Sequence, residues 1–147
     1  MDLYSAATFG SLYLANRVVM APLTRTRAGV PTGAMVEYYR QRAGQGLIVS
    51  EGVWPVAEGK SYPGQPGIET PEQIDGWRRV VDAVHAAGGV IVMQLMHGGR
   101  VSHTAITGTA RIVAPSALPA PGQTRTPEGK VDMPVPHALE TDEIPAV

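Results

Sequence analysis

The 147-residue sequence contains no cysteine. A disulfide framework, a thiolate nucleophile and a zinc site built on cysteine are therefore excluded. The chain also lacks a dominant charge, because 12 Lys and Arg stand against 13 Asp and Glu. A protein of this balance has no bulk field to attract nucleic acid or an anionic membrane surface. We expect neither partner.

Long apolar runs are missing too, since none approaches the roughly 20 residues that a membrane-spanning helix needs. The segment from Met1 to Ser5 carries an acid where a secretory signal would have basic residues before an apolar run. We therefore expect a cytoplasmic protein. Hydrophobic residues make up 44% of the chain, which is typical of a packed globular protein rather than a disordered tail.

Strand signals recur along the first two thirds of the chain. Gly10-Ser11 lies between two short β-prone runs, which predicts an N-terminal hairpin over about residues 8–14. Three continuous apolar runs, of the kind found in strands buried on both faces, then begin near residues 17, 47 and 90. The sequence therefore predicts three core strands between about residues 17 and 96.

A helix is predicted between each pair of successive core strands. The first covers residues 34–43 and ends at Gly44. The second has the stronger signals, because Thr70-Pro71-Glu72-Gln73 supplies an N-cap, a first-turn proline and a capping-box glutamine. Apolar side chains then recur at helical spacing. They are Ile74, Trp77, Val81, Val84 and, less regularly, Val80.

Alternating strands and helices indicate parallel βαβ units, either in a doubly wound sheet or in a (β/α)8 barrel. A doubly wound dinucleotide-binding sheet has G-x-G-x-x-G after its first strand, whereas this chain has Pro22-Leu23-Thr24-Arg25. The barrel is therefore favoured. A barrel needs eight strands and roughly 250 residues. We expect residues 1–147 to form one partial α/β domain that folds only beside a complementary chain.

The last third of the chain is different in composition. Residues 97–139 are rich in Pro, Gly and Thr and have no clear periodicity, which predicts a long loop of the kind that often covers an active site. The acidic segment that follows predicts the start of another helix over about residues 141–147.

Barrel enzymes place their working residues at the C-terminal ends of the strands, which here means Thr24, Glu51-Gly52 and the stretch from Gln94 to Arg100. The side-chain amide of Gln94 has a donor and an acceptor, which suits the O=C–N–H edge of a planar heterocycle such as a flavin pyrimidine. The Thr24 hydroxyl could bond to such a ring, and Gly52 could let it approach the main chain. Each residue also has a structural explanation, as a backbone-bonded glutamine, a turn threonine and a turn glycine. Spacing leaves both possibilities open.

Two other functions remain as alternatives. Glu51, His97 and His103 could serve a metal-dependent barrel hydrolase, but their spacing matches neither H-x-x-x-H on a helix nor a short zinc loop, so we predict no metal ligand. A non-catalytic fragment, kept for binding or assembly, is the second alternative.

Five blocks of the sequence, in order over nearly the whole chain, resemble the Old Yellow Enzyme family of flavin-dependent ene-reductases. They are NRVVMAPLTR (16–25), YYRQRA (38–43), GLIVSEG (46–52), YP (62–63) with PGI (66–68), and QLMHGGR (94–100).

The resemblance implies the N-terminal part of a TIM barrel, with the hairpin closing its base and FMN bound at its C-terminal face. It implies that Pro22, Leu23 and Thr24 line the flavin, with Thr24 tuning it. It further implies that the Gly52 backbone contacts the ring and that Gln94 holds the pyrimidine edge.

The substrate pocket is implied to include Tyr62, and Met96 stands where many members have tryptophan. By this resemblance, NADH or NADPH reduces FMN, and the flavin reduces an activated alkene such as an α,β-unsaturated carbonyl or nitro compound. The family's substrate-gripping pair and proton donor match nothing in residues 1–147. We therefore expect this chain to be inactive alone and to require a complementary C-terminal fragment of the same barrel.

Overall fold

The computed structural model describes residues 2–147. Its strands and helices, in chain order, are β1 (Ala7–Phe9), β2 (Leu12–Leu14), β3 (Val19–Met20), α1 (Gly33–Arg40), β4 (Leu47–Val53), α2 (Pro71–Ala86), β5 (Ile91–Leu95), α3 (Thr104–Thr107), β6 (Val113–Ala114), β7 (Gln123–Thr126), β8 (Gly129–Asp132) and β9 (His137–Ala138).

The N-terminal hairpin pairs β1 with β2 in antiparallel register, with Thr8 opposite Tyr13. Gly10 begins the turn between them with φ +57°, a backbone conformation that glycine adopts without steric cost. The turn lies where the Gly10-Ser11 pair predicts it.

The central sheet is parallel and has the order β3-β4-β5, so strands adjacent in the chain are adjacent in space. Parallel crossovers are right-handed, and an order that never reverses puts both crossover helices on one face of the sheet. The two helices accordingly pack on each other, with the Tyr39 and Trp77 rings 5.9 Å apart. This is the arrangement of consecutive strands in a barrel, whereas a doubly wound sheet carries helices on both faces.

The hydrophobic core fills the space between this sheet and its two helices. Its buried members are Met20, Met35, Tyr39, Ala43, Ile48, Val53, Trp77, Val80 and Val84.

Helix α2 begins as its sequence predicts. The Thr70 side chain accepts a hydrogen bond from the Gln73 amide at 3.3 Å, and the Gln73 side chain accepts one from the Thr70 amide at 3.1 Å, which confirms the capping box. Its buried face is rotated from the predicted one, because Val80 is fully buried and Ile74 is exposed. Tertiary contact sets this rotation: Gly76 packs so closely on Pro31 that a Cβ atom would lie 2.8 Å from the proline Cδ.

Helix α1 is shorter than predicted and ends at Arg40 rather than near Ala43. The amides of Arg42 and Ala43 bond to carbonyls three residues back, at 3.0 and 3.1 Å. Bonds of this i−3 type form a tight 3-10 turn at the end of a helix. Residues 41–43, which the sequence pattern assigns to the helix, therefore belong to this turn.

Residues 97–139 contain more regular structure than the predicted long loop. Helix α3 lies there, β6 pairs with β9, and β7 forms an antiparallel hairpin with β8. These strands have two to four residues each, which is too short for a periodic pattern to be visible in the sequence. In place of the predicted helix over 141–147, the chain forms a 3-10 turn at Ile144–Ala146.

Both outer edges of the central sheet are unpaired within residues 2–147. No other strand in this range pairs with the outer edges of β3 and β5. Apolar side chains there are open to solvent, since Val19 is 50% exposed and Leu95 is 62% exposed. In the same range, no helix combines the length and the apolar character needed to cross a membrane.

Candidate functional site

A β-bulge brings two predicted site residues face to face. Val49 on β4 lies opposite Val92 on β5, and Gly52 lies opposite Gln94, so β4 has one extra residue between the two pairs. The Ser50 hydroxyl fills the gap in the ladder by accepting the Gln94 amide N–H at 3.1 Å. Bulges are common beside active sites, where they redirect side chains. Here the bulge sets the C-terminal ends of β4 and β5 in register.

Gly52, Gln94 and Met96 form one cluster at this end of the sheet. A Cβ atom on Gly52 would lie 3.0 Å from Met96 Sδ and 3.5 Å from Gln94 Oε1. A side chain at position 52 would therefore push the Met96 thioether aside. The sequence suggests that Gly52 lets a ring approach the main chain. In the structure, the space beside the Gly52 Cα atom borders the Met96 side chain.

The Gln94 side chain is half-buried, and its side-chain amide makes no hydrogen bond to any other group of residues 2–147, although the backbone N–H of Gln94 bonds to Ser50. The structural explanation left open by the sequence, a glutamine bonded to neighbouring backbone, is not observed. The cluster therefore presents one amide donor and one carbonyl acceptor that are available to a ligand.

The loop after β3 places Pro22, Leu23 and Thr24 at the same edge of the sheet, all three exposed. Within the described range, the Thr24 hydroxyl makes no hydrogen bond, so a turn-forming role is not observed. The loop is fixed one residue further on, where the Arg25 amide donates to the Glu51 carboxylate at 3.0 Å. Glu51 directly precedes Gly52, so this bond ties the Thr24 loop to the cluster.

A buried pair, Glu51 and Tyr39, supports this tie. Glu51 is only 1% exposed, and its carboxylate also accepts the Tyr39 hydroxyl at 3.3 Å. The Glu51 amide in turn donates to the Tyr39 oxygen at 2.9 Å. Burial raises the pKa of Tyr39 far above its ordinary value, and the charge of Glu51 adds to the effect. Tyr39 therefore stays a neutral hydroxyl that can donate to the buried carboxylate.

Glu51, His97 and His103 do not gather into a metal site. Residues 2–147 contain no group of three or more His, Asp or Glu side chains arranged to hold a metal ion. His97 Nδ1 accepts the Gly99 amide at 3.1 Å, and His103 caps α3 by accepting the Ala105 amide at 3.0 Å. The three side chains have separate structural roles, which removes the geometric basis for the hydrolase alternative.

Tyr62 lies in a turn over Ser61–Gln65 and is 43% exposed. It lines a cavity of about 520 Å³ between this turn and the β7–β8 hairpin. The other lining residues are Thr26, Pro63, Val101, Gln123, Thr124, Arg125 and Met133. The cavity does not include Met96, so the two predicted pocket residues are not brought into direct contact in the described chain.

Sequence reasoning missed two buried side chains, Tyr39 and Gln65, that connect these parts. Gln65 is 0% exposed, and its Nε2 donates to the Gly52 carbonyl at 3.1 Å. Nothing in the local pattern marks it, because it lies in the turn-rich stretch Pro63-Gly64-Gln65-Pro66-Gly67. Tyr39 is indistinguishable in the sequence from an ordinary core aromatic residue.

Comparison with known proteins adds a family to this geometry. The profile of the NADH:flavin oxidoreductase / NADH oxidase family matches residues 2–147. Among curated proteins, a "Probable flavin mononucleotide-dependent alkene reductase" of Leishmania infantum is 42% identical over 92% of this chain.

Two solved structures have the same fold over 99% of the chain. An old yellow enzyme homologue from Zymomonas mobilis superimposes with a TM-score of 0.94 at 45% identity. Morphinone reductase in complex with tetrahydroNAD superimposes with a TM-score of 0.92 at 46% identity. The chain covers 42% and 43% of these two proteins, and 40% of the Leishmania protein. It therefore spans about two fifths of the relatives that it matches.

Proposed function

Because the chain belongs to the NADH:flavin oxidoreductase / NADH oxidase family, we propose that it forms the FMN-facing part of an ene-reductase that uses NADH or NADPH. The resemblance to Old Yellow Enzymes is confirmed by the family match and by the structural neighbours, and with it the partial (β/α)8 barrel. One observation carries the proposal: the side-chain amide of Gln94, which has no hydrogen-bond partner within residues 2–147, lies beside Gly52 at the C-terminal end of the sheet.

The residues present fit FMN. A flavin pyrimidine has adjacent carbonyl and N–H groups along one edge, and the Gln94 amide can pair with both kinds of group at once. The exposed Thr24 hydroxyl can donate to a ring atom from the neighbouring strand end. FMN held there by Gln94 and Thr24 would supply the hydride-transfer chemistry that links NADH or NADPH to an activated alkene.

The protein's own contribution at this edge is orientation. Gln94 holds one edge of the ring, and Thr24 supplies a hydroxyl hydrogen bond that tunes its potential. Pro22 and Leu23 line the same side, and the Arg25–Glu51 bond at 3.0 Å keeps their loop in place. A site held by buried groups needs little reorganisation when the ligand enters.

Tyr62 and Met96 are the proposed substrate-side residues. Met96 packs against Gly52, so it borders any ring that lies along the Gly52 backbone. A thioether is apolar and flexible, which suits the hydrocarbon part of an alkene conjugated to a carbonyl or nitro group. Tyr62, which carries a polar hydroxyl, lines the cavity beside the β7–β8 hairpin. The Leishmania relative's description as an alkene reductase supports this substrate class, and the tetrahydroNAD held by morphinone reductase supports a nicotinamide reductant.

The proposed partner is a complementary C-terminal fragment of the same barrel. The unpaired outer edges of β3 and β5 are where further parallel strands would add, and the exposed Val19 and Leu95 would then be covered. The chain's coverage of two fifths of its relatives is consistent with this partner. Without it, the site would lack the groups needed for turnover, and the chain would be inactive.

The test compares the isolated chain with the chain assembled with the remaining barrel strands. We expect the assembly to be yellow and to oxidise NADPH in the presence of 2-cyclohexenone. The isolated chain should bind FMN poorly and show no such turnover. A colourless assembly would refute the proposed cofactor, and turnover by the isolated chain would refute the division of the enzyme into two parts.

A further inference from the structure

Tyr62 owes its position to the Ser61–Gln65 turn, and this turn is held from two sides. On one side, Gly64 has φ +74° and lies so close to Thr26 that a Cβ atom would come 2.6 Å from the Thr26 carbonyl oxygen. On the other side, the Gln65 side chain reaches back to the end of β4. The first contact is steric, whereas the side chains of Gln65 and Trp54 make directional hydrogen bonds, with the Trp54 indole donating to the Gln65 carbonyl at 2.8 Å.

Gln65 bonds to main-chain groups of two separate segments. Its Oε1 accepts the amides of Ser61 at 2.8 Å and Tyr62 at 3.3 Å. Its Nε2 donates to the Gly52 carbonyl at 3.1 Å. The side chain is fully buried, so water cannot replace these partners if they are lost.

The chemistry of the site requires an amide of this length. A glutamate of the same size could accept the two amides but, when ionised, could not donate to the Gly52 carbonyl. A methionine would fill the volume and make none of the three bonds. Within residues 2–147, the Gln65 side chain therefore joins the Gly52 carbonyl to the main chain at Tyr62, a residue that lines the cavity.

We propose that Gln65 is a positioning residue for the substrate pocket, which sets Tyr62 at a fixed place relative to the Gly52 backbone. This inference rests on the proposed ene-reductase function, because only then does the Gly52–Tyr62 spacing govern how an alkene lies against the ring. In this proposal Gln65 contacts neither the ring nor the alkene and acts through Tyr62.

Gln73 provides a matched control within the chain. Its Oε1 accepts the amides of Glu69 at 2.9 Å and Thr70 at 3.1 Å, and its Nε2 donates to the Gly29 carbonyl at 3.2 Å. It is 5% exposed. Gln73→Met therefore removes the same number of side-chain hydrogen bonds to main-chain groups as Gln65→Met, at the start of α2 and without contact to Gly52 or Tyr62.

The first experiment needs no turnover. Amide hydrogen exchange is measured on the assembled protein carrying Gln65→Met or Gln73→Met. We expect exchange at Ser61 and Tyr62 to speed up about tenfold or more in Gln65→Met only, and exchange at Glu69 and Thr70 to speed up in Gln73→Met only. Unchanged exchange at Tyr62 in Gln65→Met would overturn the inference whatever the enzyme does.

The second experiment measures steady-state kinetics of the FMN-loaded assembly with 2-cyclohexenone. We expect Gln65→Met to raise KM about tenfold with a smaller effect on kcat, and Gln73→Met to leave both within about twofold. In a Tyr62→Ala background, Gln65→Met should add less than about twofold, because two residues that act through one contact are not additive. Equal effects of the two methionine variants, or a full tenfold effect in the Tyr62→Ala background, would contradict a positioning role. An inactive unsubstituted assembly would instead count against the proposed function.

Discussion

The helix-covered face of the central sheet and its C-terminal edge differ in whether their polar groups have hydrogen-bond partners within the protein. On the covered face, the Trp77 indole donates to the Gly67 carbonyl at 3.1 Å, and apolar neighbours such as Val80 and Val84 are fully buried. At the edge, the side-chain amide of Gln94 and the hydroxyl of Thr24 have no hydrogen-bond partner within residues 2–147. The difference separates groups that hold the fold together from groups that are available for a ligand. Substitutions on the covered face should therefore lower the free energy of unfolding, whereas substitutions at the edge should lower ligand affinity and leave stability nearly unchanged.

The largest effect is expected on the covered face. Trp77→Ala removes a buried ring and leaves the Gly67 carbonyl unpaired, so we expect a loss of about 3–5 kcal/mol in the free energy of unfolding. Urea unfolding of the assembled protein measures this. A loss below about 1 kcal/mol would mean that the helices contribute little to the packing of the sheet.

Gln94→Met should weaken FMN binding and leave the stability of the protein nearly unchanged. The side chain keeps its length and loses two ligand hydrogen bonds, each worth about 0.5–1.5 kcal/mol, so FMN affinity should fall roughly tenfold to a hundredfold. The free energy of unfolding of the FMN-free assembly should change by less than about 0.5 kcal/mol, because no protein partner is lost.

Gln41→Met is the matched control for this substitution. The Gln41 amide bonds to Glu37 at 3.0 Å on the exposed surface of the α1 end, away from the edge of the sheet. FMN affinity should be unchanged in this variant. If both glutamine variants weakened FMN equally, the unpartnered amide of Gln94 would have no special role.

A smaller effect is expected for Thr24→Val, which keeps the shape of the side chain and removes its hydroxyl. One hydrogen bond to the ring is lost, so the flavin midpoint potential should shift while FMN affinity falls by less than about tenfold. A spectroelectrochemical titration of the assembly measures the potential. An unchanged potential would show that the hydroxyl does not contact the ring.

The smallest effect is expected at Glu143, which lies outside both the covered face and the C-terminal edge, and it concerns the response of local contacts to pH. The Glu140 amide, His137 and Arg111 donate to its carboxylate and lower its pKa from 4.5 to about 2. A carboxyl group with a lowered pKa adds stability above its unfolded value, and this contribution is lost as the pH falls through the folded value. We therefore expect the contacts of the 137–143 segment to loosen between pH 4.5 and about 2. Carboxyl NMR titration measures this pKa, and Arg111→Ala should move it upward.

Much of the fold could be predicted because its signals are local. The capping box at Thr70 and Gln73 and the turn at Gly10 depend on neighbouring residues only. The approach of Gly52 to Gln94 could be predicted as well, since the C-terminal ends of adjacent parallel strands meet at one edge. The family blocks in the sequence agree with these local signals.

The rest depends on tertiary contacts that leave no pattern in the sequence. The bulge at Ser50 and Glu51 follows from pairing with β5, and the hydrogen bonds of Gln65 join segments that are 13 residues apart. The rotation of α2, which buries Val80 and exposes Ile74, follows from the contact between Gly76 and Pro31. Each was invisible because periodicity records only which residues are apolar.

The most direct test of the proposed flavin-binding edge is a crystal structure of the assembled protein with FMN. It should show the Gln94 amide about 2.7–3.2 Å from the pyrimidine edge, with the Gly52 backbone against the ring. A ring bound elsewhere, or a Gln94 side chain turned away to pair with protein groups, would contradict the central claim.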